Sequence, residues 1–179
     1  TDEFIVMKDG AIDLKEFLKP YRKYGGLAIN WLCFGSSGHL KQQKKIINNF
    51  TEAKYNHTQN NYIKSIVNTK FVLCASRNPH GFFYKKGCFC VNESFQKLSA
   101  EKTRWLHAPQ DDSVSYNKIQ INHYITRSRE DFELKRIRCK NNASFWSDKL
   151  SDEFWEGFQN GKKDTAILDL VKKIKKKKR

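Results

Sequence analysis

The sequence predicts an α/β fold, in which a mixed sheet has flanking helices and a helical basic tail. Residues 27–34, LAINWLCF, are almost continuously apolar, which is typical of a strand covered on both faces. Residues 118–124, KIQINHY, alternate polar and apolar side chains, as a half-buried strand does. Residues 13–18 and 128–138 have the composition of helices, so strands and helices are interleaved along the chain.

The elements of the first third follow from local signals. Residues 2–7 predict a strand, and the KDG that follows predicts a turn. The helix of residues 13–18 has an acidic N-cap and must end near Pro20. After the strand of residues 27–34, the glycines and serines of GSSGH favour a tight loop at residues 35–39.

The rest of the chain is more polar. Residues 41–61 are rich in Asn and predict a mobile connection with one short apolar element, IINNF. Further strands are predicted at residues 62–67, 71–74 and 88–91, and further helices at 152–158 and 165–174. We therefore divide the chain into residues 1–140, the body, and residues 141–179, C-terminal helices with a polybasic tail.

The net charge is +15, from 34 Lys and Arg against 19 Asp and Glu. Residues 162–179 hold nine basic and two acidic residues, so this tail supplies +7 and residues 1–161 supply the remaining +8. Such an excess favours polyanionic partners. In the tail it suits a peripheral contact with anionic lipid, and a solvated helix end is the alternative.

The cysteines are odd in number, five, and form no C-x-x-C pair, which favours a reducing, cytoplasmic compartment. Four N-x-[ST] sequons would suit a lumenal chain, although a sequence rich in Asn produces them by chance. No apolar stretch approaches the ~20 residues that cross a bilayer. The spacing of Cys and His does not predict a structural zinc site, and no dinucleotide-binding or P-loop motif occurs.

Several polar residues stand where strands begin or end. Asp2 begins the first predicted strand, where a carboxylate can serve Mg²⁺ or Mn²⁺, and the alternative is a solvated terminus. His123 ends a strand and is followed by Arg127 and Ser128, which could hold phosphate oxygens. A lone His is more often structural, so that interpretation also stays open.

The ordered motifs TDEFI, INWLCFGSSGH, YIKSIV, NPHGFFY and INHYITRSREDFELK resemble the glycosyltransferases of family 92 and related family 2 members. The resemblance covers residues 1–138. It implies the C-terminal portion of a GT-A-type fold that begins inside the D-x-D motif, with an aspartate immediately before Thr1 and a nucleotide-binding half upstream. It also implies that this piece alone is inactive.

The resemblance implies a hexosyltransferase-type enzyme. A sugar would move, with inversion, from a nucleotide diphosphate sugar to the hydroxyl of a glycan or glycolipid acceptor, with Mn²⁺ or Mg²⁺ as cofactor. In a eukaryote such an enzyme would lie in the Golgi lumen. The family has lysine where this chain has Arg127. A guanidinium, which can donate two parallel hydrogen bonds to a phosphate, therefore replaces an ammonium.

The implied site residues fall into four groups. The metal ligands are Asp2 and His123, which should approach within one coordination sphere. The diphosphate would be bound by Arg127 and Ser128, and the acceptor would be contacted by His39, His80 and Trp31. The catalytic base is unknown, and the candidates are Glu93, Asp111 and Asp112.

The alternative function is a basic module that binds nucleic acid. The nucleic-acid bases would stack on aromatic residues such as Tyr62, Phe82, Phe83 and Tyr84. The concentration of charge in the tail counts against it, so nucleic acid is not an expected partner.

Overall fold

The computed structural model describes residues 1–76, 80–98, 113–142 and 148–177. The strands are β1 (Glu3–Met7), β2 (Gly26–Cys33), β3 (Glu52–Ala53), β4 (Ile63–Val67), β5 (Val72–Ala75), β6 (Phe82–Tyr84), β7 (Cys90–Val91), β8 (Ile119–His123) and β9 (Lys162–Lys163). The α-helices are α1 (Leu14–Phe17), α2 (Ile46–Asn49), α3 (Arg129–Asn141), α4 (Asp152–Gly157) and α5 (Ala166–Lys177), and short 3-10 helices span Lys19–Tyr21 and Thr58–Asn61.

The main sheet has the strand order β1-β8-β2-β4, with β7 also pairing with β2. β8 lies antiparallel to β1 and parallel to β2, and β2 lies antiparallel to β4. The predicted mixed sheet of an α/β protein is therefore confirmed. Two smaller two-stranded sheets, β3-β9 and β5-β6, lie outside it.

β2 is covered on both faces, as its apolar run predicts. Leu27, Ile29 and Trp31 belong to a core cluster that also contains Phe17 of α1. Leu32, on the opposite face, packs in a second cluster with Phe34, Phe50 and Tyr124. Every residue of β2 is buried, so this strand is the centre of the fold.

The prediction that β8 is half-buried is wrong, because all five of its residues are buried. Its polar side chains are not in solvent but in a hydrogen-bonded network. Gln120 donates through Nε2 to Oδ1 of Asn122 at 2.6 Å, and Asn122 donates through Nδ2 to the hydroxyl of Tyr124 at 3.3 Å. Alternation of polar residues here reflects a buried network rather than an exposed face.

The segment predicted as a mobile, polar connection is instead built into the structure. It contains α2, β3 and the second 3-10 helix. Phe50 and Ala53 are buried in the core, and Asn60 donates to the carbonyl oxygens of Lys54 and Tyr55, each at 2.8 Å. The Asn residues satisfy backbone groups, so a polar composition did not mean a solvated segment.

The C-terminal segment packs on the body. Ile167 and Leu170 of α5 form a cluster with Val6 of β1, and β9 pairs with β3. A Cβ added to Gly35 would collide with the carbonyl oxygen of Phe158, which explains why the loop after β2 begins with glycine. No helix among the described residues is long and apolar enough to cross a membrane.

Candidate functional site

The candidate site lies where β1 begins and where the parallel strands β2 and β8 end. Glu3 of β1 is paired in register with His123 of β8, and Cys33 of β2 is paired with the same histidine. The carboxyl ends of parallel strands are the usual place for ligands in open α/β sheets. This register brings Asp2, the residue before β1, beside the last residue of β8.

Asp2 and His123 are neighbours despite their distance along the chain. Their side chains approach to 3.8 Å between Oδ2 of Asp2 and Nε2 of His123. The backbone is fixed as well, since the Tyr124 amide donates to the Asp2 carbonyl oxygen at 2.9 Å. The expected approach of these two residues is therefore confirmed, whereas their binding of a metal stays a prediction.

The imidazole of His123 is held neutral in a nearly closed pocket. The residue is 7% exposed, and its ring centroid lies 4.2 Å from that of Trp31. Burial lowers the pKa of His123 to about 3, although the Asp2 carboxylate acts in the opposite direction. Its Nδ1 atom and the nearby Thr126 hydroxyl oxygen are buried without a hydrogen-bond partner in the described part of the chain. Unpartnered buried polar atoms are uncommon and often mark functional sites.

Two cations lie near the start of the chain, Arg127 at the Thr1 carbonyl oxygen and Lys135 within electrostatic reach of Asp2. Arg127 donates through Nη2 to the Thr1 carbonyl oxygen at 2.8 Å, and it does so from a left-handed backbone conformation with φ of 55°. Lys135 of α3 donates through Nζ to the Ile125 carbonyl oxygen at 3.1 Å. Burial lowers the pKa of Lys135, while the negative charge of Asp2 raises it. These contacts keep positive charge next to Asp2, as an anionic ligand would require.

An aromatic wall stands on the other side of His123. The Trp31 ring lies between His123 and His80, whose ring centroid is 4.9 Å away, and His80 contacts the Ile63 carbonyl oxygen through Nδ1 at 2.9 Å. Burial lowers the pKa of His80, so this ring too is predominantly neutral at pH 7. The predicted residues Trp31 and His80 are thus brought together with Asp2, His123 and Arg127.

Sequence reasoning missed three charged members of this group, Lys135, Glu3 and Lys64. Glu3 and Lys64 form an ion pair at 3.5 Å, and the Lys64 ammonium lies 5.8 Å from the centroid of Trp31. Burial raises the pKa of Glu3, and Lys64 opposes that effect. The sequence signal that could have identified Glu3 is its position beside Asp2. Lys64 could be found only from the pairing of β2 with β4, in which it lies opposite Ile29.

Two predicted residues are occupied elsewhere. The Ser128 hydroxyl caps α3: it accepts the Asp131 amide at 3.1 Å and donates to the Asp131 carboxylate at 2.7 Å. His39 contacts the Asn49 carbonyl oxygen through Nε2 at 3.2 Å and packs edge-on against Phe50. The contacts of the described residues do not join His39 to Asp2 or His123.

Of the three candidate bases, Glu93 lies at the other end of β8. Its carboxylate accepts the amides of Asn117, Lys118 and Ile119 at 2.9, 3.0 and 2.9 Å, as well as the Ser115 hydroxyl. These bonds make it a structural anchor of the β8 start. Asp111 and Asp112 lie outside the described residues.

The aromatic residues named for base stacking are partly engaged in packing. Tyr62 contacts Trp31, with 5.6 Å between ring centroids, and the Tyr84 ring lies so close to Gly25 that a Cβ there would not fit. Phe82 and Phe83 belong to the β5-β6 hairpin. Stacking on bases would thus require Tyr62 and Tyr84 to leave their present neighbours.

Within the described ranges, no three His, Cys, Asp or Glu residues form a group that could hold a metal ion by themselves. Comparisons with family models, curated proteins and solved structures found no match for this chain.

Proposed function

We propose that the chain forms the cation-binding and acceptor-side part of a glycosyltransferase that uses a nucleotide diphosphate sugar. The 3.8 Å approach of Asp2 to His123, with Arg127 beside them, is the observation that carries this proposal. The ordered motifs shared with the family 92 and family 2 glycosyltransferases supply the choice of reaction.

The separation of the two side chains suits a shared divalent cation. Two ligand atoms that each lie about 2.1 Å from one ion can be at most about 4.2 Å apart. The distance of 3.8 Å between Asp2 Oδ2 and His123 Nε2 falls inside this limit. Since divalent ions at such sites often keep water and substrate phosphate as further ligands, one carboxylate and one imidazole are a sufficient protein contribution.

The protonation state of His123 also suits a ligand. A pKa of about 3 leaves the ring neutral at pH 7, and a neutral imidazole with its proton on Nδ1 offers the Nε2 lone pair toward Asp2. The unpartnered Nδ1 departs from well-supported metal sites, in which that nitrogen donates to a second group.

The remaining residues of the site have roles that follow from their charge and position. Arg127 and Lys135 would attract and orient a diphosphate, since guanidinium and ammonium groups both bind phosphate oxygens. The Trp31 and His80 rings would pack against the acceptor. When bound, the cation would neutralise the charge that develops on the leaving diphosphate.

The test measures Mn²⁺ binding by the full 179-residue chain, by electron paramagnetic resonance, with and without pyrophosphate as the probe for a diphosphate. Imidazole nitrogen suits transition metals, which makes Mn²⁺ a better probe than Mg²⁺. Asp2→Asn should weaken Mn²⁺ binding at least tenfold, and His123→Gln should weaken it less. Arg127→Gln should reduce only the additional affinity that pyrophosphate confers.

Asp169→Asn on α5 is the matched control, because it removes the same charge at an exposed position. Equal Mn²⁺ affinity of Asp2→Asn and Asp169→Asn would contradict the proposal. In the natural polypeptide that carries the chain, Asp2→Asn should also abolish Mn²⁺-dependent turnover of a nucleotide sugar while the fold stays intact.

A further inference from the structure

A second cavity lies at the opposite end of β2 from the candidate site. Its volume is about 560 Å³, within the range of about 300–1,000 Å³ that is usual for small-molecule sites. Gly26 and Leu27, at the start of β2, form part of its lining, whereas Trp31 and Cys33 stand at the other end of the strand. At about 3.3 Å per residue, five residues of strand separate the two places by about 17 Å.

The walls of the cavity are largely apolar and its rim is basic. Leu18, Leu27, Ile66 and the Phe71 ring belong to the wall. The cations are Lys15, Arg22 and Lys70, all exposed, and none of them forms an ion pair with another described residue. Among the described residues, those that line the cavity include no Asp or Glu.

The rim is held in place by Asn68. Its Nδ2 donates to the Arg22 carbonyl oxygen at 2.9 Å, and its Oδ1 accepts the Lys70 amide at 3.1 Å. One side chain therefore joins the backbones that carry two of the three cations. The backbone is fixed further because the Asn68 amide donates to the Gly25 carbonyl oxygen and the Phe71 amide donates to the Asn68 carbonyl oxygen, each at 2.9 Å.

One wall is equally rigid. Tyr21 belongs to the lining, and its hydroxyl donates to the Glu93 carbonyl oxygen at 2.8 Å, so its polar end is already satisfied. Tyr21 also stacks on Phe17 and Phe95. The ordering of Tyr21 is thus already achieved before a ligand arrives, which lowers the entropy lost on binding.

We propose that this cavity binds an organic phosphate monoester, with its apolar body between Leu18, Tyr21 and Phe71 and its phosphate among Lys15, Arg22 and Lys70. Three cations without an ion-pair partner in the described part of the chain, around an apolar cavity, match the charge of a phosphate and the surface of a hydrocarbon or aromatic group. This inference does not rest on the transferase proposal, because the cavity shares no residue with the candidate site around Asp2 and His123.

The ligand could be the headgroup of a lipid or a soluble aromatic phosphate, and the experiment separates them. Binding of short-chain dihexanoyl phosphatidic acid, adenosine monophosphate and inorganic phosphate to the full chain is measured by calorimetry in buffer with a metal chelator. One of the two organic phosphates should bind at least tenfold more tightly than inorganic phosphate. A preference for the phosphatidic acid identifies a lipid source, and a preference for the nucleotide identifies a soluble one.

The variants locate the site. The double substitution Arg22→Gln with Lys70→Gln should weaken the preferred organic phosphate at least tenfold. Lys173→Gln with Lys176→Gln on α5 removes the same charge and should change the affinity less than twofold, as should Asp2→Asn. Equal losses in the two double variants, or equal affinity for organic and inorganic phosphate, would overturn the proposal.

Discussion

Glu93 at the start of β8 and His123 at its end differ in how far their polar atoms are hydrogen-bonded. At its start, the Glu93 carboxylate accepts three amides and the Ser115 hydroxyl. At its end, His123 has a buried nitrogen without a partner in the described residues, and its other nitrogen stands 3.8 Å from a carboxylate. That distance is too long for a hydrogen bond. The number of hydrogen bonds that a buried side chain makes, rather than its residue type, therefore separates the structural Glu93 from the candidate ligand His123.

The largest expected effect comes from the Glu93 end. Glu93→Ala leaves three amides without their acceptor at the start of a buried strand, and each unsatisfied buried group costs about 1–3 kcal/mol. We expect the free energy of unfolding to fall by about 4 kcal/mol, measured by urea denaturation. Asp2→Asn, with no such bonds to its side chain among the described contacts, should change it by less than about 0.5 kcal/mol. Similar losses in the two variants would remove the distinction between the two ends.

The second prediction concerns the neutral histidine. The pKa of His123 is about 3 in the folded chain, below its ordinary value of 6.5, so the unfolded chain takes up the proton first as pH falls. The contribution of the neutral His123 ring to the free energy of unfolding is fully present above pH 6.5 and is lost as pH falls toward 3. Each pKa unit corresponds to about 1.4 kcal/mol, so unfolding should cost about 2 kcal/mol less at pH 5 than at pH 6.5.

Urea denaturation at a series of pH values, with a chelator present, measures this slope. His123→Gln removes the histidine with the largest shift and should reduce the slope between pH 5 and 6.5, while His57 and His80, whose pKa values burial also lowers, keep a smaller slope. His39→Gln is the matched control, and it should keep the slope of the parent chain. A slope in His123→Gln equal to that of the parent chain would show that other groups control the acid sensitivity.

The comparison also shows which parts of the molecule the sequence could predict. The apolar run of β2 and the start of α3 near residue 128 depend on neighbours in sequence, and both elements were predicted. The capping role of Ser128 was not, because the sequence assigned this residue to a diphosphate. The approach of Asp2 to His123 was expected from motifs and requires the antiparallel pairing of β1 with β8. The role of Glu93 could not be predicted, because its partners are backbone amides more than twenty residues away. Lys64 was missed for the same reason, since its ion-pair partner Glu3 is distant in sequence and lies on a strand that does not pair with β4.

The smallest expected effect separates conformation from charge at the ligand end of β8. Arg127 has a left-handed φ of 55°, which costs a residue with a Cβ about 1–2 kcal/mol more than glycine. Arg127→Gly and Arg127→Ala both remove the guanidinium that donates to the Thr1 carbonyl oxygen, but only glycine relieves the backbone. Arg127→Gly should therefore be about 1 kcal/mol more stable to urea than Arg127→Ala, while both lose the same share of pyrophosphate-dependent Mn²⁺ affinity. If Arg127→Gly lost that affinity while Arg127→Ala kept it, the guanidinium would not be needed. The fixed backbone conformation at residue 127 would then be what positions the anion site.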